Sequence, residues 1–546
     1  MSADLILFNG KIITVNNNFD VKESVAIKDG KFIAVGTNHE VDAFGGENTE
    51  WIDLMGKTVI PGFIDSHIHV EMCASQIGWV NLEGTKEIQD VLQLISERVQ
   101  ATPLGETVMV GGPWHEKQLK EGRMLTRWDI DQVSPNHPVV IKRGGHVMMC
   151  NSKALEKAGI TDHTPNPDHG IIVRDKDTGK AIGVLIEDAI KLVDVLIPKL
   201  SEDEMAKNIL SFMAEQNSYG VTGMTDPLVT QNQINIYKEI AKKRNPTARI
   251  SALHFVNSLE ETKEVFSTYR PLEGDNFFRI TGVKTFADGG VEGAWMKEPY
   301  QIVKGQQEDP TFHGVPYYPQ ERQNELREML NLTAQEGWQM QIHVAGDAAT
   351  EQIVDLYEEV SKEHPIDSYR WTAMHVLSVR AEELQKMKEI GCSATVQNLS
   401  YLLGKNMVHY WGQERGSNAA PIRSMIDLGI PLGGGTDSPV VPWNPFISIS
   451  WMVTREIVDG SVLGIHEAIT REEAIKLWTI GSAYNQFNEE NVGSIEPGKF
   501  ADLAVLSDDI LTVSEEKIKD LHSELTMVNG NIVFLKNDSL VPAGQV

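Results

Sequence analysis

Cysteine is scarce. Three residues, Cys73, Cys150 and Cys392, occur in 546, and none forms a CxxC pair. This argues against a disulfide framework and a thiolate metal site, and it suits a reducing compartment. Long apolar runs are missing too. Leu5-Ile6-Leu7-Phe8 is cut at once by Asn9-Gly10, too short for the apolar region of an export signal. No stretch approaches the roughly 20 apolar residues of a membrane span. Positive charge is in short supply, with 49 Lys and Arg against 77 Asp and Glu, a net charge of −28. Such a surface repels phosphate backbones and anionic lipids, so neither nucleic acid nor membrane is an expected partner. The cytoplasm is the expected address.

What is present is an ordinary globular composition, 41% hydrophobic and 23% charged. The length allows two or three cores. The two ends of the chain resemble each other. Asn9-Gly10 lies between Asp4–Asn9 and Lys11–Val15, and Asp29-Gly30 between Ser24–Lys28 and Lys31–Val35. Asn529-Gly530 lies between Leu525–Val528 and Ile532–Leu535, and Ala501–Leu506 reads as a further strand. Asn-Gly and Asp-Gly between β-rich runs signal tight hairpins, because both central residues of a type I′ turn need positive φ. The expectation is one small β-sandwich domain built from residues 1–58 and 491–546. Separate edge hairpins are the alternative.

Residues 59–490 alternate short apolar strands with amphipathic helices. The strands expected are Val59–Ile64, Gly220–Thr225, Arg249–Phe255, Ile280–Phe286, Gln339–Val344, Trp371–Val376, Cys392–Val396 and Ile430–Gly434. Gln323–Glu336, Thr350–Lys362 and Ala381–Glu389 are among the helices. Eight strands with intervening helices is the count of a (β/α)8 TIM barrel, with a doubly wound open sheet as the alternative. Residues 70–219 break the rhythm, far exceeding a normal connection. They are expected to form an inserted subdomain capping the barrel mouth, with a helix at Ser152–Ala158 between an Asn151 N-cap and Gly159. Thr470-Arg471-Glu472-Glu473 reads as a capping box that opens a later helix.

The chemistry begins at Ile64-Asp65-Ser66-His67-Ile68-His69. Alternate residues of a strand point the same way, so His67 and His69 present two imidazoles to one side. The spacing alone is weak, since 16 His in 546 residues give about half such a pair by chance. Position strengthens it, because the pair follows an apolar strand where a barrel strand empties into its loop. Lys284, His343, His375 and Asp437 fall at or near the ends of later strands. A strand-end His is often only hydrogen-bonded, and an Asp after glycines is often a turn. A Lys inside an apolar strand is harder to excuse, because burying an unpartnered ammonium is costly. Six suitable residues at five strand ends favour one metal site.

The segments VIPGFIDSHIH, IKRGGHVMMCNSKAL, GVKTFADGG, QMQIHVAGDAA, AMHVLS, GGGTDSPV and VGSIEPGKFADLAVL together resemble the amidohydrolase superfamily. The branch they resemble contains YtcJ-like proteins and N-substituted formamide deformylases. They run nearly the whole length and in family order. The chain departs at Glu292-Gly293-Ala294, where a Ser-Arg pair is common, and at Ala348, where an Arg is common. The resemblance implies that His67, His69 and Asp437 bind one divalent ion and that His343 and His375 bind a second. Lys284, carboxylated by CO2 to N6-carboxylysine, would bridge them. Zn2+ is the expected metal, with Mn2+ or Fe2+ as alternatives. Asp437 is the expected proton carrier between the attacking water and the leaving amine.

The expected reaction is hydrolysis of an amide-like C–N bond, in an N-substituted formamide or other N-acyl amine, by a metal-bound hydroxide. The same site would suit a lactone, a phosphotriester, or a ring C–N bond in a deaminase or cyclic amidase. A non-catalytic scaffold is disfavoured because all six ligand positions are filled. His146 is a candidate to stabilise the oxyanion, against the plainer reading of a structural loop His. Trp114, His115, Glu187 and Trp295 are candidate substrate contacts, and Met148, Met149, Met296 and Trp443 candidate pocket walls. Each of these has a bland alternative as core, loop or solvated helix face. The expected partner is a small-molecule substrate, and a homodimer is among the assemblies left open.

Overall fold

The computed structural model describes residues 2–145, 147–167, 170–302, 311–536 and 540. Eight strands follow one another in chain order: β1 (Phe63–Asp65), β2 (Val221–Val229), β3 (Arg249–Phe255), β4 (Phe278–Phe286), β5 (Gln339–Val344), β6 (Thr372–His375), β7 (Ser393–Gln397) and β8 (Leu432–Gly435). Each pairs in parallel with the next. Between β8 and β1, Ser66 N–H donates to Gly434 O at 3.0 Å and Asp437 N–H to His67 O at 2.7 Å. The sheet therefore curls into a TIM barrel, not an open doubly wound sheet.

The helices that cover it are amphipathic for a simple reason. Gln323–Gln335 buries Leu326, Met329, Leu330 and Ala334, and Asp347–Ser361 buries Ile353, Val354, Tyr357 and Val360, spacings that recur on one face of an α-helix. The capping box at Thr470 is present: its hydroxyl accepts from Glu473 N–H while the Glu473 carboxylate accepts from Thr470 N–H.

One expected strand is two. The run Val59–Ile64 divides at Pro61-Gly62 into Thr58–Pro61, which pairs with Lys11–Ile13 and Leu503–Leu506, and Phe63–Asp65 of the barrel. Gly62 is needed at the break, since a Cβ there would lie 2.2 Å from Thr222 Oγ1.

Both termini build the small β-sandwich. One sheet holds Leu5–Phe8, Ser24–Lys28, Lys31–Gly36 and Glu50–Asp53; the other holds Lys11–Ile13, Val21–Lys22, Thr58–Pro61, Leu503–Leu506, Ser523–Val528 and Asn531–Leu535. Leu7, Val25, Phe32 and Ile52 of the first meet Ile12, Val59, Leu503 and Leu525 of the second in one core. Asp29-Gly30 and Asn529-Gly530 are hairpin turns with positive φ at all four residues. Asn9-Gly10 is not. Asn9 has φ 56°, but Leu5–Phe8 and Lys11–Ile13 belong to different sheets, so this turn carries the chain across the sandwich. The sandwich is tied to the barrel by Arg249 of β3, whose guanidinium meets the Asp502 carboxylate at 2.7 and 2.9 Å.

Residues 71–208 with 438–443 form a second compact unit. Its six-stranded sheet runs Gly170–Arg174, Ala181–Glu187, Val147–Cys150, Val139–Arg143, Val108–Gly111, Val80–Asn81. Alternate residues serve two cores, with Val139, Ile141, Val147 and Met149 in one, and Val140, Met148, Cys150 and Leu185 in the other. Asn151 caps the helix Ser152–Lys157 by accepting from Ala154 N–H, and Gly159 follows with φ +72°. Among the described residues, no helix is long and apolar enough to cross a membrane.

Candidate metal centre

His67 and His69 follow β1 and turn their Nε2 atoms toward the same oxygen of Asp437, at 3.2 and 3.1 Å from Oδ1. Their rings are perpendicular, with centroids 5.4 Å apart. Burial drives the His67 imidazole down to about 4, against the pull of Asp437. Burial opposes the charge of Asp437, but His67, His69 and His375 together hold its carboxyl well below the usual carboxylate range. At neutral pH His67 is therefore a neutral imidazole facing an ionised carboxylate. With His69 it makes two nitrogens and one oxygen within 4.8 Å of one another, a donor set that suits a divalent ion.

His375 and His343 continue the cluster. The His375 ring lies 4.6 Å from that of His67 and 4.6 Å from that of His343. Gln397 Oε1 accepts from His375 Nδ1 at 2.6 Å, which leaves Nε2 with its lone pair free. His343 is fixed in the opposite sense. Its Nε2 faces the Gly289 carbonyl at 3.1 Å and must carry the proton, so Nδ1 keeps the lone pair. Burial first, and then Lys284, bring His343 down to about 3. The Lys284 ammonium of β4 is itself brought down to about 7 by burial, with Asp437 and Asp226 opposing. Its Nζ rests 3.3 Å over the Phe286 ring. All six expected residues thus meet at one end of the barrel.

The backbone is strained at the same place. His375, Val376 and Asp437 have φ of 73°, 46° and 67°, a region that side chains with a Cβ rarely adopt. Such strain persists where the surroundings over-determine it.

Four residues outside the expected ligand set support it: Asp65, Asp288 and Thr436 lie within the family-like segments, and Gln397 does not. Asp65 is fully buried and accepts from Thr436 Oγ1, Thr436 N and His67 N at 2.7, 3.1 and 2.9 Å. Thr436 makes its two bonds to Asp65 from just beyond β8, and Gln397 holds His375 from the end of β7. Asp288, following β4, accepts from the backbone N–H of Trp295, Ala345 and Gly346 and lies 3.7 Å from His343 Nε2. A further clue is nearness to a ligand, Asp65 two residues before His67 and Gln397 at the end of the strand after His375.

Trp114, His115 and Glu187 belong to the second unit. Trp114 is buried in a core of the inserted unit and donates from Nε1 to Lys142 O. His115 Nδ1 accepts from Lys117 N–H and caps a short turn. Glu187 ends a strand at φ 51°. Trp295 borders a surface cavity of about 300 Å³ with Gln323, Arg327, Glu351 and Gln352, on the outer helices of the barrel. Met148, Met149 and Met296 are core residues. His146 lies outside the described residues.

A sequence profile of the amidohydrolase family matches residues 50–534. The YtcJ protein of Bacillus subtilis (strain 168) is 27% identical over 544 residues, covering 97% of this chain and 99% of YtcJ. The N-substituted formamide deformylase of Arthrobacter pascens is 27% identical over 557 residues, covering 98% of this chain and 99% of the relative. Among solved structures, a metal-dependent hydrolase from Pyrococcus horikoshii OT3 superposes with a TM-score of 0.73 at 24% identity, covering 94% of this chain and 99% of the other.

Proposed function

The chain belongs to the amidohydrolase family, and from that premise we propose that it hydrolyses an amide-like C–N bond, in an N-substituted formamide or other N-acyl amine. The observation that carries the reading is the convergence of His67 and His69 Nε2 on one oxygen of Asp437. These three would hold one divalent ion, Zn2+ before Mn2+ or Fe2+. His343 Nδ1 and His375 Nε2 would hold a second. Lys284 would bridge them as a carbamate, an anion replacing an ammonium that its buried site disfavours.

When bound, divalent ions lower the pKa of a water and polarise the substrate carbonyl. The remaining work belongs to the chain. Burial keeps His67, His343 and His375 neutral and ready as ligands. Gln397 and the Gly289 carbonyl fix which nitrogen of each imidazole is free. The Asp437 carboxylate takes a proton from the attacking water and returns it to the nitrogen, so the amine leaves neutral as the C–N bond breaks.

A panel of formamides, N-acyl amino acids, lactones and phosphotriesters, assayed with added zinc or manganese, tests the reading. Amine release from a formamide or N-acyl amine supports it. Activity confined to esters overturns it.

A further inference from the structure

Three aromatic rings flank the histidine cluster without being sealed into a core. Phe255 ends β3, Phe286 ends β4 and Tyr317 lies in the segment that returns to β4, its N–H donating to Ala287 O at 2.7 Å. Phe286 is the hub. Its centroid lies 5.8 Å from Phe255, 5.7 Å from Tyr317 and 5.2 Å from the His343 ring. It stands two residues beyond Lys284, so strand alternation turns both to the same side, and Lys284 Nζ lies over its face.

Ordinary packing explains aromatic pairs in this fold where the rings are buried, as in the stack of Phe266 on Trp338 at 5.0 Å. Phe255, Phe286 and Tyr317 are each partly exposed. Their interplanar angles of 64° and 42° make a tilted wall instead of a closed stack. A partly open aromatic wall continuous with a polar, metal-ligating cluster has the make-up of a ligand site, apolar on one side with a few polar groups on the other.

We propose that Phe255, Phe286 and Tyr317 form a subsite for a flat aromatic substituent on the substrate nitrogen. The inference rests on the C–N hydrolase reading. In a formamide the acyl carbon carries only hydrogen, so the group to be recognised lies wholly on nitrogen. An aryl ring reaching the wall gains tilted or offset contacts at centroid separations of about 4.5–7 Å, which a flexible alkyl chain cannot match.

The test compares N-(2-phenylethyl)formamide with N-hexylformamide in wild type and in Phe286→Leu, Phe255→Leu and Tyr317→Leu, with metal content measured for each. Phe255 is the register partner of Lys284 in the sheet and Phe286 lies under its Nζ, so Tyr317→Leu, with its metal content measured, is the variant that separates subsite loss from a disturbed metal centre. In wild type the phenyl substrate is expected to have the higher kcat/KM, and each variant should lower the phenyl-to-hexyl ratio by roughly tenfold, chiefly through KM. An unchanged ratio overturns the proposal. If neither formamide is hydrolysed, the C–N hydrolase reading fails separately, and calorimetry with 2-phenylethylamine and hexylamine decides the subsite. A phenyl preference that disappears in the variants supports it, and equal binding of both amines by wild type overturns it.

Discussion

Thr436 and Asp65 stand 371 positions apart and share two hydrogen bonds, Thr436 Oγ1 to Asp65 Oδ2 at 2.7 Å and Thr436 N to Oδ1 at 3.1 Å. The same carboxylate accepts from His67 N at 2.9 Å, and Asp437 N donates to His67 O. One buried carboxyl thus binds the end of the first barrel strand to the end of the eighth. It sets His67 and Asp437 at the spacing that a shared ion needs. Replacing Thr436 with Val keeps the shape and removes the hydroxyl donor, leaving a buried oxygen unpaired at a cost of about 1–3 kcal/mol. Metal affinity should fall by roughly 10–100-fold, as for other groups that orient ligands. Competition with a fluorescent chelator measures it, and unchanged affinity would remove Asp65 from the account.

Carboxylation of Lys284 predicts a link between bicarbonate and metal content. Protein loaded with metal in the presence of bicarbonate should bind two ions per chain. Protein loaded without it, or carrying Lys284→Met, should bind fewer. Metal analysis on each preparation checks this. One ion per chain throughout, insensitive to bicarbonate, would leave Lys284 a plain lysine beside a single-metal site.

The histidines contribute to the metal-free protein a pH dependence of definite sign, opposed in part by the carboxyls of Asp65 and Asp288, which burial raises to about 7. His67 and His343 titrate at about 4 and about 3 when folded, against 6.5 ordinarily. Below 6.5 the unfolded chain takes up protons that the folded chain refuses, so stability is full above that pH and falls as the pH drops toward the folded values. Thermal midpoints of metal-free protein should decline across this window. His343→Gln should decline less steeply, and an identical slope would show that His343 is not held neutral.

Arg249 and Asp502 test the join of barrel and sandwich. Their side chains are only 6% and 3% exposed. Asp502→Ala strands a buried guanidinium and should lower unfolding stability by about 3–5 kcal/mol, whereas the pair Arg249→Met with Asp502→Leu should lose far less. Denaturant titration distinguishes the two cases; equal losses would mean that packing, not charge, makes this contact matter.

Much of this was legible in the chain because period and punctuation are local. Arg249–Phe255 and Gln339–Val344 have the same ends in pattern and in structure, since each is an apolar run bounded by turn residues. The six candidate ligands were legible because a strand end is a position as well as a motif. Asp65 and Gln397 were not, because their importance comes from partners on other strands. Val59–Ile64 misled because a continuous apolar run carries no mark of which sheet each half will join, and the partners of the two halves lie far away in the chain. Asn9-Gly10 misled because positive φ at Asn9 is compatible with crossing between sheets as well as with pairing.

The most direct test follows amine release from a formamide or N-acyl amine substrate, identified by the panel above, through removal and return of the metal. Chelator-stripped protein should lose activity and regain it with zinc or manganese, while Asp437→Asn should stay at least about 10²–10⁴-fold below wild type after the same treatment. Turnover that survives complete metal removal, or an Asp437→Asn protein as active as wild type, would contradict the account.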